Sequence, residues 1–260
     1  MSYKNLLPAG IRQSNRFFKR YPLYLKIHFT TINKNGQTPL DNDNIYYHGN
    51  RPELAFMIPS DVHKVLEIGC GKGNFKTHFP DSVEYWGVEP NAEARAEAEQ
   101  RFHKVLAGLY DDVEVDLPEQ YFDLIVCNDV IEHMPDHDTF LEQIKRKLAP
   151  GGRLLISIPN VRYFSNLYNL LVRKDWEYKD AGVLDRTHLR FFTEKSLLRT
   201  LEEHRFEILN FQRINLQSFK RIKMVEKFPF LRPCLQIAVG TLLGKDSLYL
   251  QFACLLKPKN

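Results

Sequence analysis

Apolar and polar positions along the middle of this 260-residue chain fall into blocks of two kinds. Short apolar runs suited to strands occur at Lys64 to Ile68, Val83 to Val88, His103 to Leu106, Phe122 to Cys127 and Arg153 to Ile158. The last is apolar after its arginine except for Ser157, as suits a parallel strand covered on both faces. Between these runs lie stretches of helical character: one from Asn74, an alanine- and glutamate-rich one from Ala92 to Gln100, and one from about Asp138 to Leu148 that places Leu141, Ile144 and Leu148 on one face. Strand alternating with helix predicts a doubly wound, mostly parallel sheet. Thr193 reads as the N-cap of a further helix with Leu197, Leu198 and Leu201, followed by strands Phe206 to Phe211 and Leu248 to Leu256.

The expected fold is therefore α/β, with a seven-stranded sheet and helices on both faces. Leu23 to Thr31 alternates with the period of a half-buried strand, which suggests an edge element in an N-terminal extension over residues 1–45. The main domain is expected over residues 46–260. After the fifth strand, about residues 159–190 form a long connection with Tyr163, Phe164, Tyr168, Trp176 and Tyr178. Insertions of that length in a compact domain are usually lids or substrate sites.

With 43% hydrophobic residues, the chain can bury one sizeable α/β core. Cys70, Cys127, Cys234 and Cys254 are far apart, so neither a zinc site nor a disulfide framework is indicated, and a reducing cytoplasm is the expected compartment. No signal sequence is recognisable. The longest apolar candidate, Cys234 to Leu243, falls well short of the roughly 20 residues of a membrane span.

Net charge is +4 but unevenly placed: residues 1–40 hold seven basic side chains and no acid, and residues 211–245 hold seven against Glu226. In the second tract the bases are interleaved with Phe219, Met224, Phe228 and Phe230, a mixture that suits contact with an anionic membrane surface. A solvated basic face over an ordinary core is the competing reading.

The chemistry centres on Val65 to Asn74, where an apolar run breaks into the turn Gly69-Cys70-Gly71-Lys72-Gly73, and Glu89 follows twenty positions after Gly69. Asn74 stands where a dinucleotide fingerprint needs its third glycine. Leu66 and Gly73 occupy two positions that a phosphate-binding P-loop reserves for other residues. The pattern E-x-G-x-G-x-G instead resembles motif I of the class I S-adenosylmethionine-dependent methyltransferases. Tyr85 to Asn91, Phe122 to Asp129 and Leu148 to Gly152 resemble that family's second-strand, fourth-strand and pre-fifth-strand motifs, in the same order.

The resemblance implies a Rossmann-like fold that binds S-adenosylmethionine through Glu67, Gly69, Cys70, Gly71, Gly73, Glu89, Pro90, Leu109, Asn128 and Asp129. Glu89 would grip the ribose hydroxyls, turn amides would meet the carboxylate of the amino-acid end, and Glu67 or a nearby carbonyl would meet its ammonium. The acid that many family members carry after the third strand is replaced by Ala107-Gly108-Leu109-Tyr110, which leaves adenine to the Leu109 N–H.

Asp129 to Asp136 follows the fourth strand, and carboxyl ends of strands border the ligand crevice. His133 is thus a candidate base for a hydroxyl acceptor. Ile158 to Tyr163, Asp175 to Gly182, Leu184 to Thr193 and, upstream, Arg51 to Leu54 resemble a methyltransferase subgroup found in surface-polysaccharide and O-antigen clusters. That implies methylation of a sugar or lipid-linked glycan. His188 is then a second candidate base with Asp185 orienting it, and Arg186, Arg190 and Tyr163 are candidate substrate contacts. No metal site is assigned and nucleic acid is not expected as a partner. Methylation of a small amine or quinone, or a non-catalytic cofactor-binding role, remain as alternatives.

Overall fold

The computed structural model describes residues 49–217, 219, 227, 228 and 230–259. The expected element at Leu23 to Thr31, and much of the interleaved basic tract near residue 223, lie outside the described residues. Seven strands form one sheet: β1 Lys64–Ile68, β2 Glu84–Glu89, β3 Lys104–Ala107, β4 Phe122–Asn128, β5 Leu148–Pro159, β6 Phe206–Leu216 and β7 Tyr249–Pro258. Their order is β3-β2-β1-β4-β5-β7-β6, parallel from β3 to β5, with β7 antiparallel to both β5 and β6. The winding direction reverses between β1 and β4, so a crevice opens above their carboxyl ends, where ligands of open α/β sheets bind.

Among the described residues six α-helices accompany the sheet: α1 Ala92–Ala98, α2 Tyr110–Val113, α3 His137–Lys147, α4 Phe164–Tyr168, α5 Glu194–Glu203 and α6 Leu231–Leu243. Caps fix several starts, of which the sequence reading named Thr193. The side chains of Asn91, Asp136 and Thr193 accept from the N–H groups of Ala94, Thr139 and Ser196. Alternate residues of the central strands feed two cores: Leu66, Ile68, Ile125, Cys127 and Ile156 enter one, and Val65, Leu124, Val126 and Leu155 the other. Each fully buried aliphatic side chain contributes about 1.5–3 kcal/mol.

Three boundaries differ from the sequence reading. The helix expected from Asn74 is a short 3-10 turn, Asn74–His78, because Pro80 pushes Phe79 into extended geometry (φ −116°, ψ 143°). β5 starts before Pro150-Gly151-Gly152 and absorbs that turn as an irregularity in its pairing with β4. β6 continues to Leu216 because β7 pairs with it down to Tyr249.

Candidate active site

The glycine turn leaves β1 with Gly69, Gly71 and Gly73 all at positive φ. At Gly73 (φ 76°) a Cβ would lie 2.7 Å from the Phe102 ring and 3.2 Å from the Ala98 Cα, so only glycine lets the turn rest on the end of α1. Gly87 of β2 serves Cys70 in the same way, since a Cβ there would approach its Sγ to 2.6 Å. Cys70 is thereby a packing residue, and burial raises its thiol pKa well above the ordinary range. Lys72 pairs with Glu97 at 2.8 Å, which ties the turn to α1.

The turn's hydrogen bonds overturn one expectation. The N–H groups of Gly69 and Cys70 donate to the Val88 carbonyl, Gly73 donates to Cys70, and Gly71 donates to Glu89 Oε2 at 2.8 Å. These amides stabilise the turn itself and are not open donors for a carboxylate. The Leu109 N–H assigned to adenine is likewise taken, by Asp112 Oδ2 at 3.1 Å, because the short helix α2 caps its own start.

Glu89 is held from both sides. Oε2 accepts from Gly71 and Oε1 from Asn91, each at 2.8 Å, which leaves a lone pair on each oxygen for a hydroxyl. Burial raises its pKa, and the two backbone donors oppose that shift. Pro90, just beyond it, is exposed.

Glu67 departs from its expected task. Its side chain enters the core beside Tyr85, whose hydroxyl donates to Oε2 at 3.0 Å, and it is only 4% exposed. Burial raises its pKa from 4.5 to about 8, so at neutral pH it is a largely protonated core acid and a poor anchor for an ammonium group.

Asp129 follows β4 at positive φ (54°) and is engaged by three groups. Arg51 Nη1 donates to Oδ2, and Gln251 Nε2 (2.7 Å) and Ser157 Oγ (3.3 Å) donate to Oδ1. Arg51 also donates to Ser157 and Glu53, so residues from the domain's start, middle and end meet above the strand ends. By contrast, both side-chain amide atoms of Asn128 are buried and have no partner among the described residues.

Beyond Asp129 the turn Ile131–His133 drops Ile131 into the core and presents Glu132 and His133. The Glu132 carbonyl accepts the N–H groups of Leu189 (2.8 Å) and Arg190 (3.1 Å), which clamps the returning insert onto this turn. His133 and His188 then meet edge to face, ring centroids 4.7 Å apart. The Nδ1–H of His188 donates to the Val183 carbonyl at 3.0 Å, the place expected for Asp185. Asp185 Oδ1 instead accepts from the N–H and Oγ of Thr187, both at 2.7 Å. Thr187 in turn holds His133 Nδ1, with its carbonyl at 3.3 Å and its Oγ at 3.2 Å. The carboxylate expected behind His188 therefore stands behind His133, through Thr187, a residue the sequence reading did not single out. Burial, then the neighbouring His188, lowers the His133 pKa to about 4, so its imidazole is neutral with Nε2 as the open acceptor.

The side chains of the two arginines make their contacts elsewhere. Arg186 pairs with Asp180 at 2.9 Å, both exposed, and Arg190 Nη2 donates to the Pro135 carbonyl as a loop clamp. Tyr163 immediately precedes α4 and is half-buried. An open groove of about 710 Å³ occurs at the opposite end of the sheet, near Glu119, Arg146, Gly152 and Lys257, remote from all of these groups.

A family profile described as a methyltransferase domain matches residues 41–210. The chain belongs to that family. The methyltransferase is 35% identical, over 141 residues, to trans-aconitate 2-methyltransferase of Azoarcus sp. strain BH72, covering 51% of this chain. It spans about half of that relative's length (53%). Its fold matches a solved SAM-dependent methyltransferase from Archaeoglobus fulgidus at TM-score 0.61 and 20% identity, over 84% of this chain and 99% of the other. A second match is the Burkholderia thailandensis 1,6-didemethyltoxoflavin-N1-methyltransferase, solved with its substrate and S-adenosylhomocysteine (TM-score 0.54, 18% identity, 85% and 84% covered).

S-adenosylmethionine is the cofactor of this class I fold, and the site fits it in two respects. Glu89 retains free lone pairs beside a turn in which three of five residues are glycine, and the buried Asn128 amide offers a donor and an acceptor that the described residues leave unpartnered.

Proposed function

We propose that this methyltransferase moves the methyl group of S-adenosylmethionine to a hydroxyl oxygen of a sugar or lipid-linked glycan, with the acceptor entering beside His133 and His188. The observation that carries this reading is the Asp185–Thr187–His133 chain, which fixes the Nδ1 proton and leaves Nε2 as an acceptor at the carboxyl end of β4. When bound, the cofactor supplies a methyl on a sulfonium and leaves as the thioether. His133 Nε2 accepts the hydroxyl proton while the oxygen's electron pair forms the bond to carbon, and the imidazolium then releases the proton to water. Glu89 and the glycine turn keep the cofactor's nucleoside fixed during transfer.

Support for a sugar comes from the insert. Trp176 and Tyr178 gather around Phe191, with centroids 5.7 Å and 6.4 Å from it, and Phe191 lies 6.3 Å from His188. Flat apolar faces beside polar groups suit a ring that is apolar on its C–H faces and polar at its edge. The resemblance of Leu184 to Thr193 to the surface-polysaccharide subgroup points the same way. A small acid is the second reading, favoured by the relative named for trans-aconitate. An ionised carboxylate needs no base, so the two readings separate experimentally.

The test is transfer of labelled methyl from S-adenosylmethionine to lipid and polysaccharide fractions, compared with small carboxylic acids, using wild type and Thr187→Val. A glycan acceptor and turnover lowered at least tenfold in Thr187→Val, with cofactor affinity unchanged, are expected. Labelling of the acids alone, with Thr187→Val fully active, would replace the proposal by the second reading. The basic tract is proposed to bring the enzyme to an anionic membrane. Among the described residues no helix is long and apolar enough to cross one.

A further inference from the structure

Neither carboxylate oxygen of Glu132 has a hydrogen-bond partner among the described residues, although the side chain is only 1% exposed. A buried carboxyl group left without a partner is costly, and burial raises its pKa. What faces it adds to the cost. His188 Nε2 stands 4.0 Å from Glu132 Oε1. Because His188 Nδ1–H is committed to the Val183 carbonyl, Nε2 presents a lone pair toward the carboxylate. The two groups thus face each other across a gap too long for a hydrogen bond. His133 contributes a third lone pair, because its Nδ1–H is committed to Thr187. One ligand atom from each of Glu132, His133 and His188 lies within 4.8 Å of the others.

We propose that Glu132, His133 and His188 hold a divalent cation. One carboxylate and two neutral imidazoles form a donor set suited to Zn²⁺, Co²⁺, Mn²⁺ or Fe²⁺ and ill-suited to Ca²⁺, which prefers oxygen ligands throughout. Both histidines already carry the outer support that metal-binding imidazoles need, a carbonyl accepting from the far ring nitrogen. At ordinary metal–ligand lengths of about 2.1 Å, two ligands of a tetrahedral centre stand roughly 3.4 Å apart. Closing the 4.0 Å gap between Glu132 and His188 therefore requires side-chain shifts of well under an ångström.

The three ligands come from two segments, 132–133 and 188, joined by the backbone clamp from Leu189 and Arg190 to the Glu132 carbonyl. A cation would thus lock the insert to the end of β4. Three protein ligands also leave a coordination position for an outside oxygen. This rests on the reading of the cluster as the acceptor's end of the crevice and changes one step of it: with the cation in place the His133 lone pair binds metal and is no longer the base, and an acceptor hydroxyl in the open position would release its proton to water.

The experiment uses the full chain, stripped with a chelator, dialysed and titrated with Co²⁺, then challenged with Zn²⁺ or Mn²⁺. Visible absorption is the first readout, and paramagnetic shifts of the histidine ring resonances in wild type are the second. One equivalent per chain is expected, with shifted resonances for His133 and His188. Affinity should fall at least tenfold in Glu132→Gln, which removes the charge at unchanged volume, and stay unchanged in His204→Ala, whose ring nitrogens face Glu142 and Asp138. Absence of stoichiometric binding, or shifts confined to other histidines, would overturn the site. If Co²⁺ binds here and no hydroxyl acceptor is methylated, the cation site stands and the acceptor reading fails.

Discussion

In the turn after β1, Gly69, Cys70, Gly71 and Gly73 all donate within the domain, and Glu89 accepts from both flanks. At the end of β4, Glu132 has two oxygens with no partner among the described residues, His188 Nε2 faces one of them at 4.0 Å, and the His133 ring packs against His188. The first region is satisfied by its own chain and offers shape plus a few remaining lone pairs. The second carries unmet electrostatic demand. A region whose backbone is closed on itself can hold its geometry without ligand, which is what binding a constant cofactor requires. A region with unmet demand changes state when a proton, cation or acceptor arrives, which is what chemistry requires.

The sharpest way to break this comparison is to disturb the closed region. In Gly73→Ala the new Cβ meets the Phe102 ring at 2.7 Å in a conformation that disfavours side chains. Left-handed strain and overpacking together should cost about 3–4 kcal/mol, read as a shift in denaturant midpoint. A loss below about 1 kcal/mol would show that the turn yields easily and is not preorganised.

A smaller effect tests Glu67, the one member of the closed region that sits in the core as a protonated acid. Its pKa rises from 4.5 to about 8 on folding, so between those values the folded chain keeps a proton that the unfolded chain has lost. Stability from this group therefore falls as pH rises through that window and levels off above it. Urea unfolding of wild type should show a decline through that window that Glu67→Gln lacks. Parallel pH profiles in the two proteins would place the carboxyl in a solvated setting instead.

The closed region was largely legible in the sequence. Gly69, Gly71, Gly73 and Glu89 lie within about twenty residues, and glycine spacing reports directly on backbone conformation. Its donors were not legible, since the choice of Gly71 N–H to serve Glu89 depends on how far β2 projects beyond β1. In the open region, His133 and His188 were identifiable as candidates, but their meeting was not. Thr187 reaches His133 across 54 positions, Arg51 reaches Asp129 across 78, and no local period encodes either contact. Asp185 was assigned to the nearer histidine in sequence, whereas its Oδ1 accepts from the N–H and hydroxyl of Thr187, which in turn holds His133.

The central claim is that Glu89, fixed by Gly71 and Asn91, is the nucleoside anchor of a preformed cofactor site. Calorimetric titration of S-adenosylmethionine into wild type and Glu89→Ala tests it most directly. The account predicts one site per wild-type chain and an affinity loss of roughly 1.5–3 kcal/mol in the variant, a charged hydrogen bond's worth. Equal affinity in the two proteins, or no binding by wild type, would contradict it.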